Sequence, residues 1–172
     1  KGVHELFDAI PKVCSRSPYV RFMIVGPMEP DQWDAITVEE VERVKAQYGV
    51  VFTGFSKSLV DLYSVMDLFV LPTYREGIPR ALMEASAMKV PAIATDIRGC
   101  REVIVSEETG WLVPPRSSEA LAEKIIDALA LPEENRRSMG NKARRHIRKR
   151  FNEERVMRRH RRICQVLLKH LD

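Results

Sequence analysis

A chain of 172 residues, 45% hydrophobic, 30% charged and 7% aromatic, suits one globular domain of α/β type with a core of its own. Its net charge of +4 hides two unlike parts: residues 132–172 carry 14 basic and 5 acidic residues, a surplus of +9, which leaves −5 for everything before them. No basic start runs into an apolar stretch as in a signal sequence, no run approaches the ~18 apolar residues of a membrane span, and Cys14, Cys100 and Cys164 have neither the number nor the spacing of a disulfide framework or zinc site.

Taken in chain order, Leu6, Ile10 and Val13 form a helical stripe, and YVRFMIVG (19–26) is an apolar run stopped by Gly-Pro. Thr37 and Glu40 then stand at capping-box spacing before a helix that Gly49 can end. VVFTGF (50–55), LFVLP (68–72), AIAT (92–95) and WLVPP (111–115) are further short apolar runs. Near-continuous runs of this kind read as strands buried on both faces of a parallel sheet. Helices are expected between them at 59–66, 79–88 and 117–130, the last with Leu121, Ile125, Ala128 and Leu129 on one face. Strands and helices that alternate in this way predict a doubly wound α/β sheet.

The end of the chain is predicted all-helical. Met139, Ala143 and Ile147 recur every four residues. Asn152 can then cap a second helix, on which Val156, Met157, His160, Ile163, Cys164, Leu167, Leu168 and Leu171 make one stripe, with Arg155, Arg158, Arg159, Arg161 and Arg162 mostly off it. The expected division is 1–131 for the Rossmann-like part and 132–172 for C-terminal helices. A doubly wound sheet normally opens with a strand near its centre, whereas this chain opens at Lys-Gly and enters a helix. A first strand is therefore expected to be missing.

Residues 68–104 carry the chemistry. A strand ends at Pro72, a loop holds Arg75, Glu76 and Gly77, and a helix starts at Pro79, where a proline costs no internal hydrogen bond. The free amides of Arg80, Ala81 and Leu82 then point out of a helix N-terminus at the carboxyl end of a parallel strand, which suits a phosphate. Gly77 allows a ligand close to the backbone, and Arg80 adds a positive charge. Glu84 leans back along the helix toward the cavity that Glu76 borders. Two carboxylates beside a phosphate cradle suit hydroxyl recognition, on a ribose and on a hexose.

R-E-G-I-P-R-A-L-M-E-A with its Glu-x7-Glu spacing, V-P-A-I-A-T-D-I-R-G-C-R-E-V-I, T-G-W-L-V-P, V-x-F-T-G-F-S and the opening Lys-Gly together resemble the C-terminal domain of the retaining glycosyltransferases of family 4, of the two-Rossmann GT-B type. The resemblance implies a nucleotide-sugar donor, with UDP and a hexose or N-acetylhexosamine favoured, and a glycan or lipid-linked acceptor. It gives Glu76 the catalytic position against the donor sugar and Glu84 the ribose. Gly77, Ile78, Pro79, Arg80 and Ala81 fall on the distal phosphate, Lys1 on the diphosphate, and Gly54 and Phe55 against the base. Neither a metal nor another cofactor is implied, and no Asp-x-Asp is present. An absent N-terminal domain is implied as the partner that binds the acceptor. The chain departs from the family's pattern at Lys89, where a helix-ending Gly is usual, and it lacks the family's Gly-Arg pair.

The basic tail lacks the aromatic and base-reading groups that nucleic-acid binding requires. Its apolar stripe is expected to pack on the absent domain, and its cationic face to suit an anionic membrane, so the expected location is cytoplasmic, with the inner membrane face as a possible site. The four histidines have no Ser or Cys partner at diagnostic spacing, and no nucleophilic triad is nominated. Competing readings are a GT-B epimerase or phosphorylase, and a non-enzymatic receiver-like module.

Overall fold

The structure, a computed structural model, describes residues 2–27 and 36–168. Lys1, at one of the expected site positions, lies outside them. So do Leu171 and the side chains of Val156, Leu167 and Leu168, all members of the expected C-terminal stripe.

Helices and strands alternate as α1 (Val3–Arg16), β1 (Met23–Val25), α2 (Val38–Tyr48), β2 (Val51–Gly54), α3 (Leu59–Ser64), β3 (Phe69–Leu71), α4 (Arg80–Ala87), β4 (Ala92–Thr95), α5 (Arg98–Arg101), β5 (Trp111–Val113) and α6 (Ser118–Ala130), followed by α7 (Glu133–Arg150) and α8 (Glu153–Leu168). Every strand pairing is parallel. The strands form two hydrogen-bonded groups, β1-β2 and β3-β4-β5. Matched to the order 3-2-1-4-5-6 of a doubly wound sheet, β1 to β5 correspond to its strands 2 to 6, and among the described residues no strand pairs with both β1 and β3.

Helix α1 joins the groups across that gap. Its Phe7 and Ile10 pack with Val44, Val50 and Phe52 on the β1-β2 side, while Ala9 and Val13 pack with Ile93, Trp111, Val113, Leu121 and Ile125 on the other. Leu82, Ala92, Ala94, Cys100, Val103 and Ile147 fill the opposite face of β3-β5. Only β4 is buried throughout. The expectation of strands buried on both faces fails at β2, where Val51 is 53% exposed. The strand expected over 19–26 shrinks to three residues, and Tyr19 is 94% exposed.

Local chemistry sets several boundaries. Thr37 and Glu40 form the capping box at the start of α2, and Gly49 ends that helix at φ 63°. Ser117 accepts from the Ala120 amide to cap α6. Lys89, just beyond α4, adopts φ 66°, the left-handed turn that a non-glycine residue enters only at a cost. There α7 comes close: a Cβ on Gly140 would stand 1.9 Å from the Lys89 carbonyl oxygen. On α8 the described stripe members Met157, His160, Ile163 and Cys164 are all exposed.

Candidate functional site

The loop from β3 to α4 is fixed from three sides. From below, Thr95 at the end of β4 donates its hydroxyl to the Thr73 carbonyl. From α1, Gly2 (φ 72°) lies so close that a Cβ there would overlap the Pro72 oxygen at 1.7 Å. From α5, a Cβ on Gly99 would stand 2.4 Å from both the Glu76 and Gly77 carbonyl oxygens. Gly2 at the start of α1 therefore abuts this loop, and so does α5, a helix the periodicity did not predict.

Helix α4 begins one residue later than expected. Pro79 is its cap (φ −72°, ψ 111°), and the first helical acceptor is the Pro79 carbonyl, which takes the Met83 amide at 3.2 Å. The amides of Arg80, Ala81 and Leu82 consequently precede any intrahelical partner. They lie at the carboxyl end of β3. No atom lies within 4 Å of where a Gly77 Cβ would be, so the approach to this terminus is open. Ile78 is 47% exposed beside it.

Glu76 is partly buried in the loop. Glu84, one turn into α4, is anchored: its Oε2 accepts from the Tyr63 hydroxyl at 3.2 Å, and its Oε1 lies 3.8 Å from Arg80 Nη2. Arg80 is 86% exposed. The segment 76–84 thus gathers two carboxylates, a guanidinium and a helix N-terminus into one place. Gly54 (φ 62°) and the 77%-exposed Phe55 stand at the carboxyl end of β2, in the other strand group, where Gly54 pairs with Gly26.

Neighbouring groups are held in fixed states. Burial pushes the Cys100 thiol up to about 11, with the charges of Glu76 and Asp96 adding to it. It stays protonated near neutrality and is no nucleophile. Arg101 binds Asp96 at 2.6 Å and holds that carboxyl below its usual range. Tyr74 donates to Glu5 of α1, and its ring lies 5.1 Å below the Arg116 guanidinium, which ties the loop after β5 to the loop after β3. Among the described residues no group of three His, Cys, Asp or Glu side chains could hold a metal ion. None of the described helices is long and apolar enough to cross a membrane.

Sequence reasoning missed Tyr63 and Gly99. A hydroxyl on the buried face of a short helix was a usable signal for Tyr63, because a buried phenol needs a partner. Gly99 stood in a motif of the resemblance, but nothing local showed its contact, which is with backbone 22 and 23 residues away.

A family model described as "Glycosyl transferases group 1" matches residues 1–130. The capsular polysaccharide biosynthesis glycosyltransferase CapM of Staphylococcus aureus is 29% identical over 154 residues, which cover 90% of this chain and 40% of that protein. Among solved structures, sucrose-phosphate synthase from Thermosynechococcus elongatus superposes with a TM-score of 0.83 at 28% identity, over 99% of this chain and 43% of that one. The Anabaena HepE structure in complex with UDP-glucose gives a TM-score of 0.78 at 25% identity, over 98% of this chain and 45% of that one. The chain thus spans about 40% of the length of the curated relatives it matches.

Proposed function

Because this chain belongs to the group 1 glycosyl transferases, we propose that it is the donor-binding part of an enzyme that moves a sugar from a nucleotide-sugar donor to an acceptor with retention of configuration. The observation that carries this is the segment 76–84, which sets a helix N-terminus and Arg80 between two carboxylates at the carboxyl end of a parallel strand. Phosphates are drawn to such a terminus and repelled by carboxylates. Glu76 and Glu84 therefore flank the diphosphate, Glu76 on the donor sugar and Glu84 on the ribose. The amides from Gly77 to Ala81, including those of Ile78 and the residues around Pro79, serve the distal phosphate. Lys1 adds a second cation, and Gly54 and Phe55 offer the base a turn and an exposed ring.

As the glycosidic bond breaks, negative charge grows on the departing nucleoside diphosphate. The α4 terminus, Arg80 and Lys1 stabilise that charge without reorganising, and this preorganisation lowers the barrier. The acceptor attacks from the face that the diphosphate leaves. We assign acceptor binding and exclusion of water to an N-terminal domain of the parent protein, with the α8 stripe packed against it and its cationic face available to an anionic membrane. The reaction needs no metal. The UDP-glucose bound by HepE and the capsular polysaccharide in the name of CapM favour a UDP-hexose donor, a surface-polysaccharide or lipid-linked acceptor and a cytoplasmic location.

Calorimetric titration of the chain with UDP-, GDP- and ADP-sugars tests the reading. Binding of one nucleotide class, weakened at least tenfold by Glu84→Ala, is expected, one charge-assisted hydrogen bond being worth about 1.5–3 kcal/mol. Equal failure of all three classes to bind rejects it.

A further inference from the structure

Tyr63 is 6% exposed and packs with Ala85, Val90 and the edge of Phe69. A buried ring of this kind needs no hydroxyl to fill its place, yet the Tyr63 hydroxyl lies 3.2 Å from Glu84 Oε2 and 3.3 Å from the Ala81 carbonyl. It has one proton for two acceptors. The carbonyl is helical and already in reach of the amide one turn on, whereas the carboxylate is charged and makes the stronger bond. Glu84 itself is 38% exposed, with its Oε1 reaching back toward Arg80 at the start of α4. A glutamate so exposed, on a helix surface, samples several rotamers unless something holds it.

We propose that Tyr63 is a positioning residue for nucleotide recognition: its hydroxyl clamps Glu84 Oε2 and thereby aims Oε1 at the ribose hydroxyls of a nucleoside diphosphate. This rests on Glu84 being the ribose acceptor. The clamp is built from α3 beneath the site, so it touches no ligand itself. Burial, followed by the charge of Glu84 and the bond to it, pushes the Tyr63 hydroxyl up to about 12, so it remains a donor throughout the physiological range.

Two measurements separate the clamp from the reading it rests on. The first needs no ligand: urea unfolding of wild type, Tyr63→Phe, Glu84→Ala, which leaves the hydroxyl no acceptor at that position, and the double variant. The losses in the single variants are expected not to add, because each removes the same bond; strict additivity overturns the clamp. The second is titration with UDP and with 2′,3′-dideoxy-UDP. Wild type is expected to prefer UDP by about tenfold, the worth of one charge-assisted hydrogen bond. Tyr63→Phe should bring that ratio close to one and leave the dideoxy affinity unchanged. Equal loss of affinity for both nucleotides, or an unchanged ratio, overturns the proposal while Glu84 keeps its role. A wild type that does not discriminate between the two rejects the ribose role of Glu84 and the proposal with it, even where unfolding shows the two side chains coupled.

Discussion

Gly99 has its Cα against two carbonyl oxygens of the Glu76-Gly77 turn, so its missing side chain decides where Glu76 stands. A methyl group there cannot fit at 2.4 Å from both oxygens without displacing the turn or α5. Gly99→Ala should cost about 1–3 kcal/mol of stability, as overpacking does. It should also weaken UDP binding more than a distant substitution of equal destabilisation; calorimetry on the two side by side checks this. At the other extreme, a side chain on Gly77 meets only open space. Two glycines on either side of one contact therefore have opposite reasons to be there, a difference that the motifs holding them do not show.

Among the elements, α4 and α7 illustrate how a local departure is absorbed. Lys89 adopts the left-handed turn its place after α4 demands, and the backbone it presents there is the surface that Gly140 of α7 packs upon. Lys89→Gly should stabilise the chain by up to about 1 kcal/mol, because the left-handed conformation costs a side chain roughly that much. Gly140→Ala should destabilise by about 3 kcal/mol, since α7 must lift off its seat. Chemical denaturation checks both. At α2 the prediction concerns pH. The Thr37 amide, above all, holds the Glu40 carboxyl below its ordinary 4.5, against the opposing effect of burial and with smaller help from the Thr37 hydroxyl and His4. A depressed carboxyl contributes stability fully above the unfolded value and loses it as pH falls through the folded one. The gap in melting temperature between wild type and Glu40→Gln should thus be widest above about pH 4.5 and close at lower pH, as a thermal melt series will show.

For the whole molecule, the unfilled position between β1 and β3 matters most. Phe69 donates its amide toward the β4 side, to Pro91, at 2.9 Å, and alternation along a strand turns the Val70 amide the other way. Native-state hydrogen exchange of this chain should find Val70 exchanging much faster than Phe69, because among the described residues no strand pairs that edge. Protection of Val70 equal to that of Phe69 would mean that the edge is covered.

The sequence by itself determined the alternation of strands and helices apart from α5, the capping of α2, the left-handed turn at Lys89 and the helix start within 76–84, because each rests on local patterning or on residues within one or two turns of each other. Tertiary structure decided the rest. The split into two strand groups, the bridge made by α1, the seat of the Glu76 loop on Gly99 and the anchor of Glu84 on Tyr63 all join residues distant in the chain. Their physical basis is excluded volume and a shared proton between elements, quantities that no periodicity or local spacing encodes.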